Sequence, residues 1–135
     1  GGSAVETALD RWAAGRDDVH VFASLGQLRY LSLMARVDAV VGNSSSGLYE
    51  APSLGVPTVN AGDRQKGRLA AASVLHCPAE PDAIVAALGR AFGMDCTGVE
   101  NPYGDGDSAR RIVEVLRAAP DRQTLLRKRF HEAAS

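Results

Sequence analysis

The chain is short of cysteine and of lysine, has no long apolar run, and leans to neither sign of charge. Each shortage excludes something. Cys77 and Cys96 are the only cysteines. They stand far apart and in no CxxC or Cys/His spacing, so no metal site is written here. Reduced, structural cysteines in a cytoplasmic protein are expected. His76 adjoins Cys77, but neighbours on a strand point to opposite faces and rarely share a metal. No apolar run approaches the roughly 20 residues of a membrane span. With 15 Lys and Arg against 16 Asp and Glu, no basic field argues for nucleic acid and no acidic tail for a basic partner. Neither a Walker loop nor G-x-G-x-x-G occurs. Signal peptide and initiator Met are both missing: the chain opens on Gly1-Gly2-Ser3 and passes straight into a helical pattern, as expected of a stretch cut from something longer.

What is present is enough for one globular domain. The chain has 135 residues, 45 % of them hydrophobic, which allows a real core. Val5, Ala8, Leu9 and Trp12 predict an amphipathic helix over about 4–14 that ends near Gly15 and packs its stripe on a sheet. Val19–Phe22 reads as a short strand. Helical spacing returns over 25–36, and 38–42 is an apolar strand without alternation, hence buried on both faces. A short helix over 47–54 is stopped by Gly55 and Pro57. Strands follow at 57–60 and 73–77, separated by a polar, Arg- and Gly-rich loop over 61–69. An amphipathic helix is predicted over 82–92, and a turn-rich stretch over 101–106. A helix capped by Asp107 or Ser108 carries Ile112, Val115 and Leu116. A last, exposed helix is expected over 121–132. Short strands alternating with helices predict an α/β fold, a Rossmann-like doubly wound parallel sheet, in a single domain over 1–135.

In such a sheet, ligands sit outside the carboxyl ends of the strands. The run Gly42-Asn43-Ser44-Ser45-Ser46-Gly47 lies there, between a strand and a helix. Free N–H groups at a helix start, small residues and serine hydroxyls suit a phosphate or pyrophosphate. Glu50 would be repelled by phosphate, so its partner would be a pair of ribose hydroxyls. Arg64, Lys66 and Arg68 follow the next strand and would neutralise a diphosphate. Each feature alone has a plainer explanation: a serine-rich cap, a solvated Glu, a solvated charged loop. A serine nucleophile fits poorly, because G-x-S-x-G would need one residue fewer before Gly47. His20, His76 and His131 are more simply strand or solvent-facing residues than triad members.

Four ordered motifs carry a resemblance: "SLGQLRYLSL", "VVGNSSSGLYEAPSLGVPTVN", "GDRQKGR" and "NPYGDGDSARRI". Together they resemble the C-terminal half of UDP-N-acetylglucosamine 2-epimerases, and "NSSSG" with "GDRQKGR" looks most like the hydrolysing branch. The resemblance implies the C-terminal domain of a GT-B fold, holding UDP or a UDP-amino sugar across a cleft from an N-terminal domain that these residues do not contain. It implies that Ser44 and Ser45, within the loop from Asn43 to Gly47, bind the diphosphate. Ser46 stands where relatives have Gly or Cys, so its hydroxyl is the least needed of the three. Glu50 takes the ribose and Arg64 lies against the nucleotide. Leu25, through its backbone, and Tyr30 line the uracil pocket.

The implied reaction eliminates UDP across C1 and C2 of the sugar and hydrates the glycal with inversion at C2, giving N-acetylmannosamine or a 2,4-diacetamido analogue. No cofactor or metal is implied. Its acid/base carboxylates would lie in the N-terminal domain, leaving this chain without catalytic residues and inactive alone. Asp63 and Asp105 are the only loop carboxylates suitably placed; the first is expected to orient its loop, the second to hold a turn. Two alternatives stand beside this: a stand-alone UDP or nucleotide-sugar binding module, and the donor domain of a GT-B glycosyltransferase. Homo-oligomerisation is left open.

Overall fold

The structure is a computed structural model, and it describes residues 2–127. Three strands, β1 (Val40–Gly42), β2 (Thr58–Ala61) and β3 (Val74–Cys77), form a parallel sheet in the order β1-β2-β3. Val41 is level with Val59, and Val59 with Leu75. Helices α1 (Gly2–Ala13) and α2 (Gly26–Met34) precede the sheet. Helix α3 (Ser46–Tyr49) and a 3-10 turn (Ala51–Leu54) connect β1 to β2. Helices α4 (Pro81–Ala91), α5 (Ser108–Arg117) and α6 (Arg122–Leu126) follow β3.

The alternation of side chains along each strand divides the core between two faces. On one face, fully buried Val59 packs with Ala87 and Ala91 of α4, flanked by Leu75 and Cys77. Alanines four residues apart share one side of α4 and let it lie close to the sheet. Pro81 starts that helix where its missing N–H costs nothing. On the other face Met34, Ala51 and Val56 pack with Val37 and Val40. This is a Rossmann-like α/β arrangement with helices on both faces of a parallel sheet.

The predicted helix over 47–54 is broken in two. It runs as α3 and the 3-10 turn, with Glu50 at the junction, and ends as expected at Gly55 in the left-handed region, φ 68°. Gly47 is required for a different reason: a β-carbon there would stand 2.5 Å from Thr58 Cγ2. Thr58 Oγ1 in turn donates to the Gly47 carbonyl at 3.0 Å, so α3 sits directly on β2.

Three expectations are corrected. β1 is not buried on both faces: Val41 is 47 % exposed. Val19–Phe22 is not a strand. Among the described residues β1 is an edge strand that pairs with β2, the segment makes no ladder with its free edge, and Phe22 is 59 % exposed. β-branched and aromatic residues suit a strand, but composition alone does not bring the segment into pairing. Nor does the Val5–Leu9–Trp12 stripe of α1 pack on the sheet: Trp12 is 57 % exposed and has the Arg16 guanidinium 4.6 Å over its ring. The stripe stays open among the described residues, with Val5 60 % and Leu9 45 % exposed beside Trp12. The predicted tail helix is present as α6, capped by Asp121, whose carboxylate accepts from Gln123 and Thr124 N–H at 2.9 and 3.1 Å. Its predicted continuation to Glu132, with Lys128 and His131, lies outside the described residues.

Gly47→Ala should destabilise the chain by about 1–3 kcal/mol through overpacking against Thr58. Thr58→Ser, which removes Cγ2 and keeps the hydroxyl, should restore most of that loss in the double variant, as read by urea denaturation.

Candidate nucleotide site at the carboxyl ends of the strands

The Asn43–Ser46 loop leaves β1 at its carboxyl end. Its neighbour in space is the segment 22–27 that leads into α2. Between them lies an open groove of about 660 Å³, lined by Phe22, Leu25, Tyr30, Ser44, Ser46 and Glu50 among others. Five residues singled out in the sequence therefore meet on one surface, although they span three separate segments. Gly26, in the left-handed region at φ 65°, turns the chain from Leu25 into α2.

The groove is held by its own polar side chains. Tyr30 OH and Ser46 Oγ are 2.6 Å apart, a bond that ties α2 to the first residue of α3. The Ser46 hydroxyl, expected to matter least, thus has a definite partner. Ser44 Oγ accepts from the Ser46 N–H at 3.4 Å. Ser45 is the N-cap of α3 without a side-chain capping bond; its carbonyl accepts from the N–H groups of Leu48 and Tyr49, both at 2.9 Å. A helix of four residues has only a small dipole.

The remaining candidates surround the groove without lining it. Asn43 is exposed, and its carbonyl accepts from Gln65 Nε2 at 2.7 Å. Gly47 is buried against Thr58. Arg64 is exposed on the turn after β2. Lys66 lies 4.0 Å from Asp63, and Arg68 donates to Tyr49 OH at 2.7 Å while lying over that ring. Lys66 and Arg68 line a second cavity of about 750 Å³ at the ends of β2 and β3, together with Asn60, Gln65 and His76. There His76 Nδ1 meets Asn60 Nδ2 at 3.0 Å, while Cys77 faces α4, so the two neighbours do point apart.

Sequence reasoning missed Phe22 and Gln65. Phe22 was assigned to a strand. Gln65 is buried, and a buried amide in a loop of Gly, Asp, Arg and Lys is the signal that it fastens the loop to something.

Asp63 is exposed, with the Lys66 ammonium 4.0 Å from its carboxylate. Asp105 forms a two-point pair with Arg111, at 3.0 and 2.5 Å, and accepts from the Asp107 N–H at 3.1 Å. The Arg111 hydrogen bonds, then the Asp107 N–H, lower its pKa to about 2. It holds a turn, as expected.

The parallel sheet with helices on both faces is Rossmann-like, and the polar groove lies beyond the carboxyl ends of its strands. Residues 2–117 match the UDP-N-acetylglucosamine 2-epimerase family, and the chain belongs to it. It is 32 % identical over 111 residues to UDP-N,N'-diacetylbacillosamine 2-epimerase (hydrolyzing) of Legionella pneumophila, covering 82 % of this chain and 29 % of that protein. It is 52 % identical over 92 residues to polysialic acid biosynthesis protein P7 of Escherichia coli, covering 65 % and 24 %. It is 31 % identical over 117 residues to UDP-N-acetylglucosamine 2-epimerase of Neisseria meningitidis, covering 84 % and 31 %. The chain thus spans less than a third of the length of these relatives. No helix among the described residues is long and apolar enough to cross a membrane.

The depressed pKa of Asp105 fixes a pH effect. Its ion pair contributes stability above the ordinary aspartate value of 3.8, and that contribution is lost as pH falls through about 2. Asp105→Asn should therefore be less stable than the parent at neutral pH, and the gap in denaturation midpoint should close below that window. Both side chains are half exposed, so the gap should be small and should shrink further in high salt.

Proposed function

We propose that this chain is the UDP-binding domain of a UDP-N-acetylglucosamine 2-epimerase of the hydrolysing branch, equivalent to the C-terminal domain of a GT-B fold. The observation that carries this is the groove: Leu25, Tyr30, Ser44, Ser46 and Glu50 come together at the carboxyl ends of the strands. Their chemistry matches the parts of a uridine diphosphate in order. Tyr30 and the Leu25 backbone offer a flat face and hydrogen-bonding groups to a base. Ser44 and Ser45 offer hydroxyls and N–H groups to a diphosphate, with Arg64 nearby in sequence to the same loops. Glu50 offers two acceptor oxygens to the ribose diol. The hydrolysing assignment is supported by the name of the Legionella relative, and a role in making amino sugars for sialic-acid-like products by that of the Escherichia coli relative.

In the reaction, a base removes the proton at C2 and UDP leaves from C1, forming the glycal. Water then adds across the double bond, with protonation at C2 from the face that inverts it. This chain's part is to hold UDP through both steps. Glu50 is the carboxylate among the described residues lining the groove, and it is assigned to ribose. On this reading the acid/base groups lie in the N-terminal domain of the family, and no activity is expected from this domain alone. The setting is the cytoplasm, with a UDP-amino sugar as ligand and the N-terminal domain as partner.

Glu50→Ala should weaken UDP binding by roughly tenfold, the loss of a charge-assisted bond of about 1.5 kcal/mol, and leave inorganic pyrophosphate unaffected. Equal losses for both ligands in calorimetry would remove Glu50 from the ribose. Arg64→Ala should weaken both ligands, and with a steeper salt dependence.

A further inference from the structure

The motif Asn101-Pro102-Tyr103-Gly104 has no part in the groove, yet it reaches the junction that carries Glu50 and the loop after β2. Asn101 Nδ2 donates to the Tyr49 carbonyl and to Ser53 Oγ, both at 2.7 Å. Its Oδ1 accepts from the Tyr103 N–H at 3.0 Å. All three partners agree with this orientation of the amide, since a carbonyl can only accept and a backbone N–H can only donate. Tyr49 ends α3 and Ser53 lies in the 3-10 turn. Asn101 therefore grips the chain on both sides of Glu50, at the point where the helix breaks.

Tyr103 braces the same junction. Its ring meets that of Tyr49 edge-on, with centroids 4.3 Å apart. Its hydroxyl donates to the Leu69 carbonyl at 2.9 Å, at the end of the loop that carries Arg64. Desolvation, then Tyr49, raises the Tyr103 phenol above its ordinary value, so it stays a donor at neutral pH.

A break between an α-helix and a 3-10 turn does not by itself fix a side chain. Glu50 has φ −103° and ψ −44°, off the ideal of either helix, and its carboxylate is exposed. Something must hold the two halves at a constant angle if that carboxylate is to meet two hydroxyls of a ligand. We propose that Asn101 is a positioning residue for Glu50: by bridging Tyr49 and Ser53 it sets the direction in which the Glu50 carboxylate faces the groove. It touches no ligand. The inference rests on the assignment of Glu50 to ribose made above.

The test is a cycle of variants of this chain titrated with UDP and with inorganic pyrophosphate. Asn101→Ala should weaken UDP about fivefold, the equivalent of one lost hydrogen bond, and leave pyrophosphate within about twofold. In the Glu50→Ala background, Asn101→Ala should cost nothing further, because the group it orients is gone. Ser53→Ala removes one of the two anchor points and keeps the Tyr49 bond. It should show the same selectivity at smaller size, and it serves if Asn101→Ala does not fold. Loss of both ligands by one factor, or a loss that persists in the Glu50→Ala background, would make Asn101 a merely structural residue and overturn the proposal. Unchanged UDP binding in Asn101→Ala would overturn it too. A parent chain that binds no UDP, or one whose UDP binding ignores Glu50→Ala, would instead strike the nucleotide reading first and carry this proposal with it.

Discussion

The site depends on one close approach, that of Gly47 to Thr58. Only a residue without a side chain lets the first turn of α3 rest on β2, and the Thr58 hydroxyl then fastens it through the Gly47 carbonyl. That contact fixes where the serine loop emerges from β1. It also brings Ser46 within hydrogen-bonding distance of Tyr30, which closes one side of the groove. Ala51 and Val56 beyond it complete the buried cluster with Met34. Packing and ligand geometry are therefore set by the same few residues, and the short helix has no independent stability to lose.

The loops around the groove are joined by side chains to backbone more than by apolar contact. Gln65 ties the turn after β2 to Asn43, Asn101 ties the later turn to both sides of Glu50, and Tyr103 reaches Leu69. Such bonds are directional, each has one geometry, and a carbonyl accepts them without charge. They suit surfaces that must present polar groups at fixed spacing while remaining wet. The ion pairs Arg110–Asp107, Arg110–Glu114 and Arg111–Asp105 lie further out, on exposed α5, where such pairs add little.

The sheet was legible because its strands are short apolar runs bounded by turn residues. The segments 38–42, 57–60 and 73–77 each contain the observed strand or all but its last residue, and Gly55 marked the end of the 3-10 turn. Val19–Phe22 has the same composition and failed, because composition records what a strand needs and not whether a neighbour is present to supply it. The α1 stripe failed for a related reason: periodicity shows that a face is apolar, not what covers it. At the site, the serine loop and Glu50 were singled out as residue types suited to a nucleotide, Leu25 and Tyr30 only through the family resemblance, and the structure brings Ser44, Ser46, Glu50, Leu25 and Tyr30 to one groove. The links among them were not legible. Asn101 lies 48 residues from Ser53, and a turn motif read from sequence looks like a turn and nothing more.

The groove joining α2, the serine loop and Glu50 is proposed to recognise a uridine diphosphate. A calorimetric titration of this chain with UDP, against ADP as control, tests it most directly. Saturable binding of UDP well ahead of ADP is the predicted result. Equal binding of the two would reduce the site to a diphosphate loop that reads no base, and would contradict the roles given to Leu25 and Tyr30.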